Sequence, residues 1–105
     1  MLRTINSTQF RTSVEQSSGV VVVDFYASWC GPCKMLAPVF ENISKEFENK
    51  AEFMKVNVDD CIEIANRFSI RTVPTIMIFK NGKPVKTIVG FIPKEKLNKV
   101  IKSFI

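Results

Sequence analysis

Two of the three cysteines in the 105-residue chain, Cys30 and Cys33, lie three positions apart within the pentapeptide Trp-Cys-Gly-Pro-Cys at residues 29–33. Two thiols at this spacing can form a disulfide or supply half of a zinc site. A structural zinc site needs four cysteines, or cysteines with histidine. The chain has no histidine and a single further cysteine, Cys61. The pair therefore favours thiol–disulfide chemistry, with no metal and no bound cofactor.

The cysteine pair lies where a predicted strand meets a predicted helix. Val20–Ala27 is a β-branched and aromatic run typical of a buried strand. The residues after the pair carry an apolar stripe at helical spacing. The first sulfur therefore lies at a helix N-terminus, where free N–H groups and the macrodipole stabilise a thiolate. This position predicts Cys30 as the nucleophile and Cys33, one turn inside and more shielded, as the resolving thiol.

Asp24 is a carboxylic acid within the apolar run Val20–Ala27. Burying a charge among apolar side chains costs several kcal/mol unless it is paired or neutralised. One interpretation is a structural acid at a sheet edge whose hydrogen bonds are satisfied. The other is a desolvated carboxyl group with a raised pKa beneath the active-site turn. In that position it would accept the proton of Cys33, directly or through water.

The remaining pattern predicts the elements that position these residues. Ser7 and either Asp59 or Asp60 are the predicted caps of two helices, and Pro38 is expected to kink the long helix. Asn81-Gly82 indicates a hairpin turn, and Pro93 opens the last helix. The predicted strands are about 3–6, Val20–Ala27, Ala51–Val58, Thr75–Lys80 and about 84–90; the predicted helices are about 8–17, from the 29–33 turn to about 48, about 60–67, and from Pro93. This order predicts a single α/β domain, 1–105, with a mixed sheet and helices on both faces.

The composition is typical of a globular domain and argues against a membrane-spanning or secreted protein. Apolar residues make up 46% and charged residues 24%, as in ordinary globular domains. No uncharged apolar stretch approaches the ~18 residues of a membrane span, and the first ten residues lack the apolar core of a signal peptide. Free thiols then indicate a reducing compartment, and we expect a cytoplasmic location.

The net charge of +5 is concentrated at the C-terminal end, where residues 80–105 hold seven Lys and one Glu. These lysines are spaced singly, and no nucleic-acid-binding module accompanies them. We therefore expect no nucleic-acid partner. The simpler interpretation is a solvated Lys-rich face that aids solubility and attracts acidic partners.

Along essentially its whole length, the chain resembles the thioredoxin family. The matching stretches are 23–27, 29–34, Ala37-Pro38, 55–59, 73–75, 79–82 and Gly90. The resemblance implies a five-stranded mixed β-sheet flanked by four α-helices. It also implies a mostly monomeric protein-disulfide reductase, which an NADPH-dependent thioredoxin reductase returns to its dithiol form.

The resemblance also assigns roles to individual residues. Cys30 would be the nucleophile, Cys33 the resolving thiol and Asp24 the proton acceptor and donor, with Lys55 nearby tuning Asp24. Without the family, Lys55 is one polar residue on an alternating strand.

Pro74 would be cis, opposite the dithiol, and the Val73 backbone would pair with the substrate. Since only about 5–6% of X-Pro bonds are cis, this assignment rests on the family; the alternative is a proline at a strand start. By the same resemblance, the docking surface would be lined by Trp29, Gly31, Pro32, Thr72, Gly90 and Phe91.

The sequence departs from the family pattern at three positions. Tyr26 occupies a place that is Trp in many bacterial members, and Thr72 replaces a common Gly. Phe91 stands where a small residue is usual, which predicts altered substrate preference unless its side chain folds into the core. Cys61 matches an additional cysteine of animal-type members. Exposure near a helix start would allow it to oxidise slowly to a linked dimer; the alternative is an inert packing thiol.

Two alternative functions stay open. An oxidase or isomerase would use the same fold, but those relatives tend to carry His between the cysteines, and Gly31-Pro32 resembles the reducing members instead. A binding or scaffold subunit would use the fold without turnover. A double Cys30→Ser, Cys33→Ser variant that kept biological activity would favour the scaffold.

Overall fold

A computed structural model describes residues 2–105, and its elements follow the predicted order. The strands are β1 (Leu2–Thr4), β2 (Val20–Tyr26), β3 (Glu52–Asn57), β4 (Thr75–Lys80) and β5 (Lys83–Val89). The helices are α1 (Ser7–Phe10), which continues as a π-helical segment (Arg11–Glu15), α2 (Gly31–Glu46), α3 (Ile62–Arg67) and α4 (Lys94–Lys102). Predicted and observed boundaries differ by one or two residues at most ends, where helices and strands fray.

The five strands form one mixed sheet in the order β1-β3-β2-β4-β5. β1, β3 and β2 are parallel, and β4 and β5 are antiparallel to their neighbours. The parallel pair β2 and β3 requires a crossover, which α2 provides. The central position of β2 places Asp24 opposite Lys55 of β3 on one side and Ile76 of β4 on the other.

Successive side chains of β2 point alternately into two apolar cores, one on each face of the sheet. The core beneath α2 and α4 contains Val20, Val22, Leu36, Phe40, Ile43, Phe53, Ile76, Ile78, Leu97 and Ile101. The core beneath α1 and α3 contains Phe10, Val14, Val21, Val23, Phe25, Met54, Val56, Ile64, Met77 and Phe79. Asp24 and Tyr26 continue the series of Val20 and Val22, so both belong to the α2 face.

The two predicted helix caps are wrong. Asn6, not Ser7, caps α1: its Oδ1 accepts the Gln9 N–H at 2.9 Å, and the Asn6 N–H donates to Gln9 Oε1 at 2.9 Å. This reciprocal capping box satisfies two N–H groups that the helix start leaves free. Cys61 occupies the cap position of α3 and forms no side-chain capping hydrogen bond, so neither Asp59 nor Asp60 caps that helix.

The long helix and the hairpin follow the sequence pattern. α2 runs without interruption through Pro38, which lies on its exposed side. The carbonyl that loses its partner there can bind water instead; the kink stays a prediction. Asn81 and Gly82 both have positive φ, 50° and 81°, as a tight hairpin turn requires.

The two outermost strands differ from the interior ones. β1 has three residues. Every residue of β5 is exposed except the half-buried Ile88, and the strand begins Lys-Pro-Val-Lys. Its pairing with β4 is irregular between Ile78 and Phe79. No helix among residues 2–105 has both the length and the apolar character needed to cross a membrane.

Candidate active site

Cys30 and Cys33 are joined by a disulfide at the start of α2, with their Cα atoms 5.3 Å apart. Cys30 is the N-cap residue, with an extended backbone, and Cys33 lies in the first turn. The Cys33 N–H donates to Cys30 Sγ at 3.2 Å. Pro32 costs no hydrogen bond here, because the first helical N–H groups have no partner within the helix. The Cys30 sulfur therefore accepts one of the backbone N–H groups that the start of α2 leaves free.

The predicted difference in shielding between the two cysteines is absent in this disulfide form. Both residues are 4% exposed. The contacts differ instead, because Cys30 Sγ accepts the helix N–H and lies 3.5 Å from the Val73 carbonyl oxygen. The two cysteines therefore differ in their position relative to the start of α2 and not in their exposure to solvent.

The Val73–Pro74 peptide bond opposite the disulfide is cis. The Gly90 N–H donates to the Pro74 carbonyl at 2.8 Å, which ties the loop after β5 to this bond. Gly90 has a φ of 90°, and apart from its two chain neighbours no heavy atom of residues 2–105 lies within 4 Å of the place where a Cβ would stand. Thr75 Oγ1 donates to the Thr72 carbonyl at 2.6 Å and closes the turn before β4. Val73, Pro74 and Gly90 are thus brought together beside Cys30.

Several apolar side chains near the disulfide in sequence are exposed. Trp29, which precedes Cys30, is 70% exposed, and its indole N–H donates to Asp59 Oδ2 at 2.9 Å. Met35, two residues after Cys33, is also exposed, and so is Phe91, which is distant in sequence and follows Gly90. Asp59 was not predicted as the partner of Trp29; the available signal was that an indole N–H generally finds an acceptor.

Asp24 is almost completely buried, with 1% of its surface exposed. It lies on a central strand, which excludes the sheet-edge interpretation. Among residues 2–105, its Oδ1 has no hydrogen-bond partner. Burial raises the pKa of Asp24 to about 6, and the nearby Lys55 ammonium opposes the rise. The carboxyl group can therefore gain and lose a proton near neutral pH.

Lys55 lies next to Asp24 in the sheet register, on the neighbouring strand. Its Nζ stands 4.5 Å from the centroid of the Tyr26 ring. Tyr26 and Lys55 line an open cleft of about 130 Å³ together with Ala27, Ser28, Cys33, Lys34 and Ala37. The cleft is large enough to hold water beside Cys33.

No group of three or more His, Cys, Asp or Glu side chains is placed to hold a metal ion in the part of the chain that the structure describes.

A family model for thioredoxin matches residues 1–103. The chain belongs to the thioredoxin family. The thioredoxins of Staphylococcus aureus strains Mu50 and MW2 are each 44% identical to it over 97 residues, which cover 92% of this chain and 91% of each relative. The predicted family and the predicted five-stranded α/β thioredoxin fold are confirmed.

Membership of the thioredoxin family settles the reaction class. The protein is a thiol–disulfide oxidoreductase that reduces protein disulfides, and Cys30–Cys33 is its redox pair. The sequence expectation of a reductase is confirmed at this level.

Cys61 is buried, with its Sγ 4.0 Å from the Ile5 carbonyl oxygen, in the core beneath α1 and α3. The prediction that a helix start exposes this thiol is wrong, because the Cys61 side chain turns into that core.

We expect no Cys61-linked dimer after mild peroxide, because a buried thiol is not reached by oxidant. Non-reducing electrophoresis of the wild type and of Cys61→Ser measures this. A dimer band present in the wild type and absent in Cys61→Ser would contradict the expectation.

Proposed function

We propose that the protein reduces disulfides of protein substrates through a mixed disulfide at Cys30, which Cys33 resolves. The observation that carries this assignment is the Cys33 N–H donated to Cys30 Sγ at the start of α2. The same N–H and the helix dipole stabilise a thiolate at Cys30 once the disulfide is reduced. Cys33 has no equivalent position, since it lies inside the first turn.

The reaction proceeds in two exchanges. The Cys30 thiolate attacks one sulfur of the substrate disulfide; the Cys30–substrate bond forms, the substrate S–S bond breaks, and the other substrate sulfur leaves as a thiolate and is protonated. Cys33 then loses its proton and attacks Cys30 Sγ. The Cys30–Cys33 disulfide forms, the Cys30–substrate bond breaks, and the second substrate sulfur leaves as a thiolate and is protonated. Two electrons pass from the protein to the substrate. Of the two protons that the substrate sulfurs take up, one balances the proton that Cys33 gives up, and the other comes from solvent, because Cys30 has already released its proton as a thiolate.

Asp24 is the proposed acceptor of the Cys33 proton. With a pKa of about 6, it is largely ionised at neutral pH and is still basic enough to hold a proton. The cleft lined by Cys33 and Lys55 has room for a water that would take up the Cys33 proton; Asp24 does not line this cleft but lies beside Lys55 in the sheet register. Lys55 tunes the acid by opposing the effect of burial.

The proposed substrate-docking surface lies around the cis peptide bond. Neither the N–H nor the C=O of Val73 is hydrogen-bonded to another backbone group among residues 2–105, so both are available to an extended substrate segment. Gly90 leaves room for the close approach of that segment. The surface is completed by Trp29, Gly31, Pro32, Thr72, Pro74 and Phe91.

Electrons are proposed to come from NADPH through a thioredoxin reductase, the second protein partner, while the chain itself binds no cofactor. We further propose that residues 1–105 are one domain, mostly monomeric, acting in the cytoplasm without nucleic-acid or membrane partners. Thiols stay reduced in that compartment, as a dithiol reductant requires.

The test is NADPH oxidation in the presence of a thioredoxin reductase and a disulfide-linked model protein. The wild type and Cys61→Ser are expected to turn over equally, and the double Cys30→Ser, Cys33→Ser variant not at all. A reduction potential near about −270 mV supports a reductant, whereas one near about −180 mV would indicate an isomerase. Biological activity retained by the double variant would contradict the redox function.

Phe91 is 41% exposed, so it is not a core residue. Phe91→Ala is therefore expected to leave the free energy of unfolding within about 1 kcal/mol of wild type, not the roughly 3–5 kcal/mol lost on truncating a buried Phe. It is expected to raise KM a few-fold for protein substrates with an apolar residue beside the target cysteine. Burial of part of a Phe surface accounts for this preference.

Val85→Ala is a matched control, because Val85 is also 41% exposed but lies on β5 near the hairpin. It should change neither quantity, and neither variant should alter reduction of a small disulfide. Unchanged KM of Phe91→Ala for every protein substrate would remove Phe91 from the docking surface.

A further inference from the structure

Tyr26 ends β2, two residues after Asp24 and on the same sheet face. Its side chain is half-buried and lines the cleft that reaches Cys33. The ammonium of Lys55 stands 4.5 Å from the ring centroid, within the range of a cation–π contact. One aromatic ring therefore contacts the cation that acts on Asp24.

The charged groups around Lys55 offer it other partners. Glu41 and Lys45 of α2, together with Glu48 just after the end of that helix, line an open groove of about 690 Å³ that also contains Lys55. In the part of the chain that the structure describes, no carboxylate lies within 4 Å of Lys55 Nζ. The contact that the Lys55 ammonium does make is with the Tyr26 ring, 4.5 Å from its centroid.

The surroundings of Asp24 contain few other charges. β4 places Ile76 opposite it, and the cleft lined by Tyr26 and Lys55 also contains Cys33 and Lys34 of α2. Lys55 is the charge that acts on the Asp24 carboxyl group. Moving this ammonium away therefore weakens its effect on the pKa of Asp24, since the attraction between two charges falls with distance.

We propose that Tyr26 is a positioning residue for the reductase: its ring holds the Lys55 ammonium beside Asp24 and thereby sets the proton affinity of that carboxyl group. This inference rests on the proposed role of Asp24 in deprotonating Cys33. Without the ring, Lys55 is free to turn towards Glu41, Glu48 and water. Asp24 then loses part of the attraction that favours its ionised form, and its pKa rises further above its ordinary value.

The decisive variants are Tyr26→Leu, which removes the ring, and Tyr26→Phe, which keeps the ring face and removes only the hydroxyl. The carbon-13 shift of the Asp24 carboxyl group, followed against pH, reports its titration without turnover. Tyr26→Leu is expected to raise the Asp24 pKa by about half a pH unit. Tyr26→Phe should titrate as wild type does. The pH at which mixed-disulfide resolution reaches half its maximum should move by the same amount as the pKa.

The matched control repeats Tyr26→Leu in a Lys55→Met background. There the ring has no cation to hold, so the Asp24 titration should not move further. An equal upward shift with and without Lys55 would overturn the proposal, because the ring would then act by packing or desolvation. A shift shared by Tyr26→Phe and Tyr26→Leu would also overturn it, since the hydroxyl would be responsible. Thermal unfolding of each variant checks that it is folded, and Tyr26→Met, which also removes the ring, replaces Tyr26→Leu in both backgrounds if Tyr26→Leu does not fold.

The two hypotheses fail in different ways. If Asp24→Asn resolves the mixed disulfide as fast as wild type, the proposed proton transfer is wrong, yet the titration still measures the effect of Tyr26 on Asp24. If the titration does not respond to Tyr26→Leu, the positioning role is wrong and the role of Asp24 is unaffected.

Discussion

Cys30→Ser is expected to lower the rate of protein-disulfide reduction by about a thousandfold or more, because it removes the nucleophile and no other group can form the mixed disulfide. Cys33→Ser should instead form the mixed disulfide at Cys30 and then stop. Mass spectrometry of each variant after incubation with an oxidised model protein distinguishes the two: a covalent adduct should accumulate with Cys33→Ser and be absent with Cys30→Ser.

Alkylation of the reduced native protein tests the same assignment without substitution. Cys30 should react far faster than Cys33 at neutral pH, since its sulfur is at the helix start. Peptide mapping after a short exposure to an alkylating reagent measures both rates. Equal rates, or an adduct trapped at Cys33 in the Cys30→Ser variant, would reverse or remove the assigned roles.

Asp24→Asn is expected to increase the free energy of unfolding at pH 8. The pKa of Asp24 rises from 3.8 to about 6 on folding, which corresponds to a destabilisation of about 3 kcal/mol when the group is ionised. The Asn amide at this position is also buried and short of partners, which costs about 1–2 kcal/mol. The net gain should therefore be about 1–2 kcal/mol, measured by denaturant unfolding.

The pH dependence provides the internal control for Asp24→Asn. Because the folded pKa is raised, the penalty is absent below the unfolded pKa of about 4, grows as pH rises and is complete above about 6. The stability difference between variant and wild type should thus grow from pH 4 to 7. Glu46, whose pKa is lowered by its hydrogen bond to Lys94, is present in both proteins, and its effect cancels from the difference.

The same variant should slow resolution of the mixed disulfide by about tenfold at pH 7, since positioned proton transfer contributes at least this much and water replaces it in part. Asp60→Asn, an exposed acid near the site in sequence, is the matched control and should change neither property. A stability difference that does not vary with pH, together with an unchanged resolution rate, would contradict both parts of the Asp24 assignment.

The features that sequence predicted well are those set by local pattern. The apolar residues Leu36, Phe40 and Ile43 recur at helical spacing, so they form one stripe that packs α2 against the sheet. Asn81-Gly82 specifies the hairpin turn because both residues tolerate positive φ. The 29–33 pentapeptide indicated its chemistry for the same reason. The residues involved are neighbours in the chain, so their geometry follows from secondary structure.

The missed features depend on contacts between distant segments or on competition between similar residues. Asp59 was a reasonable helix cap until Trp29, thirty positions earlier, proved to be its partner. Asn6 and Ser7 are both good caps, and the reciprocal bond to Gln9 decides between them. Whether Cys61 and Phe91 turn inward or outward depends on space that only the assembled sheet defines.

The two edges of the sheet have a consequence for how copies of this protein meet. An open edge presents unpaired N–H and C=O groups that can recruit a strand from another molecule. β1 offers only three residues for such pairing, and β5 carries Lys83, Pro84 and Lys86 beside an irregular ladder. A second β5 approaching this edge would meet like charges and a proline that cannot donate. Lys83 and Lys86, part of the excess of lysine in residues 80–105, therefore disfavour edge-to-edge pairing between copies, independently of any attraction of acidic partners.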